Sequence, residues 1–298
     1  MSLDHSRYQA LQMARINEPK SLQLALANRS RRTVAGKDGK LLLLAADHTA
    51  RGIIAAGGNS TAIADRYLLL DKLIRGLSIA GVDGVMASAD ILEELAWLGA
   101  LEERVAIGTM NRGGILGATW ELDDRLTAYD AEHIKSMGLD GGKTLLRIEE
   151  TDPGVARTLE MVAQVTTQLA DLELISMIEP LPYIKNSDGK AVLDPSEERL
   201  MKVISIASGL GSSSAFTWLK IPTPKNPEKV AAATSCPILL LGGDPGSNWQ
   251  DVFDGWDRAL NVSNIRGLVP GRALLYGDEL DVEAAVTRAA KLVRRGSL

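Results

Sequence analysis

The chain has 298 residues, 45% of them hydrophobic, and a formal net charge of −5. That balance argues against a general nucleic-acid or anionic-membrane surface, and no apolar run approaches the roughly 18 residues of a membrane-spanning helix. A single cysteine, Cys236, leaves no intrachain disulfide and suits a reducing cytoplasm, so the expectation is a soluble cytoplasmic protein with a large core.

Residues 1–40 read as an N-terminal extension, mainly helical, that would either mediate assembly into a homo-oligomer or plug one end of the fold. From Leu41 onward, short apolar strands alternate with amphipathic segments of helical length. Strands are expected at Leu41–Ala46, Gly84–Ala87, Val105–Thr109, Thr144–Ile148, Leu172–Ile178, Phe216–Ile221, Pro237–Leu241 and Gly267–Val269. Helices are expected near Ile63–Ala80, Ala89–Leu98, Asp124–Met137, Val155–Leu169, Ser196–Ser208, Pro227–Ala233, Trp249–Leu260 and Val282–Arg294. Repeated βα units at this length predict an α/β fold, a single closed (β/α)8 TIM barrel over residues 41–298. Two half-size domains would need a linker, and the chain offers no low-complexity stretch for one. Asn111–Asp124, with Gly113, Gly114 and Gly117, and Pro182–Leu193 read as loop insertions placed to shape a pocket.

In such a barrel, catalytic groups come from the C-terminal ends of the strands. The sixth predicted strand carries Lys220 near its end. A buried ammonium costs several kcal/mol unless it is paired or gives up its proton. The neutral amine is a nucleophile for ketones and aldehydes; the bland alternative is a lysine snorkelling to solvent. Strand alternation puts Lys143, Leu145, Arg147 and Glu149 on one face, and Glu173, Ile175, Met177 and Glu179 on another. Asp47 is in register with Leu41, Leu43 and Ala45. Taken singly, Asp47 reads as a loop cap, Lys143 as a solvated lysine, and Glu173 and Glu179 as loop carboxylates. Their matching parity on different strands is what argues for one polar interior.

A second constellation suits phosphate. The seventh strand runs into Gly242-Gly243-Asp244-Pro245-Gly246, and the eighth into Pro270-Gly271-Arg272. Barrel enzymes often hold phosphate at these two loops, with backbone N–H groups that glycine lets approach closely and an arginine fork. Only three histidines are present, His5, His48 and His133, and only His48 follows a strand. A metal-activated site usually wants two or three converging histidines. No nucleophile elbow or dinucleotide fingerprint appears, so neither a metal nor an organic cofactor is expected.

These residues resemble the class I aldolases of the deoxyribose-phosphate aldolase/tagatose-bisphosphate aldolase superfamily, with the tagatose 1,6-bisphosphate branch nearest in pattern. The segments that carry the likeness are Ala45-Ala46-Asp47-His48 with Arg51-Gly52, Lys143-Thr144-Leu145-Leu146, Glu173-Leu174-Ile175, Leu219-Lys220-Ile221-Pro222 and Gly271-Arg272-Ala273. The resemblance implies that Lys220 forms a Schiff base, Glu173 shuttles protons, Lys143 and Asp47 assist, and Gly271 and Arg272 hold substrate phosphate. It implies a phosphorylated ketose cleaved to dihydroxyacetone phosphate and an aldehyde. Substrates of this kind are tagatose 1,6-bisphosphate, sulfofructose phosphate and 5-dehydro-2-deoxygluconate 6-phosphate. An acidic end on the substrate would need a further cation, for which Arg112 and Arg147 stand available. The archaeal fructose-bisphosphate branch uses a tyrosine for proton transfer, and none falls on the fourth to sixth predicted strands, which favours the glutamate. Two rivals keep the same pocket: an isomerase or epimerase using Glu173 or Glu179 without an imine, and a non-catalytic sugar-phosphate sensor.

Overall fold

A computed structural model describes residues 2–111, 114–244, 249–277 and 281–295. Arg112, Gly113, Pro245 and Gly246 lie outside the described residues. In chain order the strands are β1 (Leu41–Ala46), β2 (Gly84–Ala87), β3 (Val105–Thr109), β4 (Gly141–Ile148), β5 (Ile175–Lys185), β6 (Ala191–Leu193), β7 (Thr217–Ile221), β8 (Ile238–Leu241) and β9 (Ile265–Val269). The helices are α1 (His5–Asn17), α2 (Lys20–Asn28), α3 (Arg66–Leu77), α4 (Ala89–Trp97), α5 (Ala131–Ser136), α6 (Pro153–Asp171), α7 (Glu197–Ser208), α8 (Pro227–Ala231), α9 (Trp249–Ala259), α10 (Arg272–Leu275) and α11 (Val282–Val293). All strands but β6 pair in parallel in the order β1-β2-β3-β4-β5-β7-β8-β9, and β9 returns to β1. The result is the expected closed (β/α)8 barrel, with β7 as its sixth stave.

The unbroken apolar run of β1 follows from burial on both faces. Leu41, Leu43 and Ala45 turn inward with Met86, Ile107, Ile175 and Met177, whereas Leu42 and Leu44 pack outward under the helices. α3 supplies Leu69, Leu70, Leu73, Ile74 and Leu77 on one stripe, and Asp65 caps it by accepting from Leu68 N–H. β4 begins at Gly141, three residues ahead of its expected start, where the two glycines leave no room for side chains. A Cβ would lie 2.5 Å from the Ile175 carbonyl oxygen at one and 2.3 Å from Met110 Sδ at the other.

Two expectations change. The helix foreseen from Asp124 begins only at Ala131, where Asp130 caps it by accepting from His133 N–H. The preceding stretch is held extended, with Thr127 and Ala128 N–H both donating to Met110 O. Pro182–Leu193 is a hairpin rather than a loop: β5 continues to Lys185 and β6 pairs back on it, Tyr183 opposite Leu193. Asn186 Oδ1 closes the turn by accepting from Asp188 and Lys190 N–H.

α2 packs against α4 and α1 against α2, with Leu11, Leu22 and Leu26 buried. Val34, on the way to β1, rests on the barrel's interior cluster. Among the described residues, no helix is long and apolar enough to cross a membrane.

Candidate active site

Five staves meet at the C-terminal mouth of the barrel. β1 hands over Asp47, β3 ends on Thr109, and β4, β5 and β7 bring in Lys143, Glu179 and Lys220. Lys220 Nζ lies 2.9 Å from Glu179 Oε1. Lys143 Nζ lies 2.5 Å from Glu179 Oε2 and 3.2 Å from Asp47 Oδ2. Thr109 Oγ1 donates to the same Asp47 oxygen at 3.1 Å. The four charges form an alternating chain, Asp47–Lys143–Glu179–Lys220, and all four residues are buried. Two lysines survive such burial because two carboxylates neutralise them.

Above this chain opens a cleft of about 700 Å³. Lys220 and Glu179 reach its floor, whereas Lys143, fully buried, stays beneath. Gly242, Gly243, Gly271 and Arg272 line one side. Gly243 has φ +65°, and a Cβ on Gly271 would come within 2.5 Å of both Ala45 O and His48 Cε1. Arg272 pairs with Asp244 across this side. The histidines do not converge: His5 stacks on Tyr67, His133 hydrogen-bonds Asp130, and His48 alone borders the cleft.

Two expected site residues stand elsewhere. Glu173 is exposed, at the opposite end of β5 from the cleft. α6 runs on to Asp171, and Glu173 is the left-handed residue, φ +57°, that lets the chain leave it. Glu173 N–H donates to Ala170 O and Leu174 N–H to Leu169 O, a Schellman closure. Glu179, six residues on and of the same parity, occupies the position between the lysines. Arg147 is fully buried, and its guanidinium is taken up by the loop after β3. Nε and Nη2 grip both Asp124 oxygens at 2.8 Å, and Nη1 meets Glu121 Oε1 at 3.0 Å.

Three cleft residues escaped the sequence reading. Arg51 sat inside a quoted motif without a role; its Nη2 pairs with Glu121 Oε1 at 2.8 Å and its Nε donates to Gly114 O at 2.7 Å. Glu121 lies in a glycine-rich stretch with no periodicity to flag it. Tyr183 was missed because the fifth strand was ended at Ile178; β5 continues, and this tyrosine faces the cleft beside Arg51. Burial pushes its phenol above the ordinary tyrosine value.

Residues 39–290 match the model of the Cgl0159-like family. The crystal structure of Cgl0159 from Corynebacterium glutamicum is 42% identical over 98% of each chain, with a TM-score of 0.95. A Schiff-base-forming fructose-1,6-bisphosphate aldolase is 20% identical over 91% of this chain and 99% of its own, with a TM-score of 0.66. A fructose-bisphosphate aldolase from Slackia heliotrinireducens is 16% identical over 95% and 87%, with a TM-score of 0.65. These last two share the barrel fold. No protein of curated function matches the sequence. By its family match and the 42% identity, this chain is a member of the Cgl0159-like family.

Proposed function

We propose that the protein is a metal-independent class I aldolase, a lyase acting on a phosphorylated ketose. The observation that carries this reading is Lys220 Nζ at 2.9 Å from a buried carboxylate on the floor of an open cleft. A pure binder has little use for a buried amine poised in this way. The likeness of fold to Schiff-base aldolases and the sequence resemblance support the same reading.

The substrate phosphate sits toward Gly242, Gly243, Gly271 and Arg272. Glu179 takes a proton from Lys220, whose lone pair then attacks the ketone carbon. The carbonyl oxygen is protonated, the carbinolamine loses water, and a protonated imine remains as electron sink. Glu179 then accepts the proton of the hydroxyl on the far carbon of the scissile bond, the carbon that becomes the aldehyde. The C–C bond breaks toward the imine, an aldehyde leaves, and an enamine is left on Lys220. Protonation of the enamine carbon and hydrolysis release dihydroxyacetone phosphate and regenerate the amine. Lys143 holds Glu179 in position, and Asp47 holds Lys143.

Borohydride reduction in the presence of dihydroxyacetone phosphate, followed by intact mass and peptide mapping, tests this. A reduced adduct on Lys220 is expected. No adduct, with phosphate ligands still bound, would turn the reading to an isomerase or a sugar-phosphate sensor.

A further inference from the structure

We propose that the aldehyde half of the substrate carries no phosphate, so that the enzyme cleaves a ketose monophosphate; this rests on the aldolase reading above. β7, which bears Lys220, stands between β5 and β8 in the barrel. On the β8 side lie the glycines and Arg272. Its partner Asp244 is half-exposed, with 48% of its side chain accessible. A pair whose carboxylate is this open to solvent is weaker than a buried one and yields more readily to a phosphate dianion.

The β5 side is built differently. It combines Leu116, Leu181, Leu193 and Tyr183 with Arg51 and Glu121. Each guanidinium described there already has its carboxylate: Arg51 is on Glu121, and Arg147 is on Asp124 and Glu121. Among the described residues, these two positive and two negative charges balance. Arg51 and Arg147 have side chains no more than 6% exposed, so a second phosphate could recruit neither without uncovering a buried carboxylate. Such a step removes the compensation of a desolvated charge and is strongly unfavourable. Hydroxyl and carbonyl oxygens ask only for hydrogen bonds, which Tyr183 and Arg51 can give. Specificity then arises from a penalty against the bisphosphate rather than from a special affinity for the monophosphate.

The test measures borohydride trapping of tagatose 1-phosphate and tagatose 1,6-bisphosphate at equal concentration, with dihydroxyacetone phosphate as control. Trapping reads imine formation and does not depend on later cleavage. The monophosphate is expected to trap at least about tenfold faster, in line with the discrimination that one unpaired polar contact supplies. Equal or faster trapping of the bisphosphate overturns the inference alone, as does failure of both ketoses while the control still traps. Failure of the control as well overturns the aldolase reading. In Glu121→Gln the preference should shrink at least about threefold, since Arg51 loses its charge partner. An equal loss for both ketoses would make Glu121 merely structural and remove the charge argument.

Discussion

Replacing Glu179 by glutamine would leave two buried ammonium groups facing a neutral amide. Removing one partner of a buried pair costs about 3–5 kcal/mol, so Glu179→Gln should melt well below the parent. In the general acid–base role proposed for Glu179, its loss should also slow imine trapping by about 10²-fold or more. Lys220→Met behaves differently, since methionine fills similar space without a charge. It should give no adduct and retain the far-UV circular dichroism of the parent; retention of cleavage would sink the nucleophile assignment. The contrast with Glu173 makes the point at the same scale. Glu173→Gly should leave trapping unchanged and stabilise by up to about 1 kcal/mol, because glycine enters the left-handed region without strain. A loss of trapping in that variant would restore Glu173 to the site. Alternation put Glu179 on the same face as the inward Ile175 and Met177, but Glu173 precedes β5 and belongs to no strand face. Alternation could not say which glutamate lay at the mouth, because the boundary between α6 and β5 is set by a helix-closing turn rather than by hydrophobic pattern.

At the scale of elements, the mouth of the barrel is assembled by two pieces that hydrophobic periodicity does not reveal. The loop from 114 to 124 has no regular structure, and its backbone and carboxylates are gathered by Arg147 and Arg51. Arginine's planar fork matches the two Asp124 oxygens, which lysine cannot do. Arg147→Lys is therefore expected to lower the urea midpoint and to expose the loop to proteolysis, with helical content nearly unchanged. An unaltered midpoint would show that the loop is held by other contacts. The eight barrel strands were legible because each contains a short, mainly apolar segment bounded by turn residues. The hairpin was not, since Pro180 and Pro182 interrupt β5 and read as loop. Elsewhere the elements are joined by exposed pairs of modest worth. Arg75 on α3 meets Glu283 on α11, and the hydrogen bond from Arg75 holds the glutamate below its ordinary value of 4.5. A lowered carboxylate pKa means that this pair stabilises fully above about pH 4.5 and fades as pH falls through the lowered value. At 40% exposure of the Glu283 side chain, the effect is about 0.2–1 kcal/mol at most. Glu283→Gln should differ from the parent by that small amount at pH 7 and converge with it in acid.

The whole molecule separates chemistry from stability along the barrel axis. The charges proposed to react lie at the C-terminal ends of the strands, whereas the opposite end is tied by two buried aspartates that precede strands. Asp83 accepts from Leu42 N–H at 2.7 Å and pairs with Arg32 and Arg294. Asp140 accepts from Ala106 N–H at 2.8 Å and pairs with Arg29 at 3.1 Å and Arg31 at 2.9 Å. Three of these arginines lie between α2 and β1, so the N-terminal segment is clasped to the base of the barrel, and Val34 packs onto the interior beside it. Burial lowers the Arg29 pKa while Asp140 works against that shift, and the guanidinium also donates to the Gly138 carbonyl at 2.8 Å. Asp140→Ala removes the carboxylate partner of Arg29 and a strand-edge acceptor together, at a cost of about 3–5 kcal/mol. Because the base shares no side chain with the Asp47–Lys143–Glu179–Lys220 chain, the fraction that remains folded should still trap dihydroxyacetone phosphate on Lys220 at the parent rate per folded molecule. Trapping that falls faster than the folded fraction, followed by circular dichroism through a urea titration, would mean that the two ends are coupled through the staves and that the base tunes the geometry of the lysines.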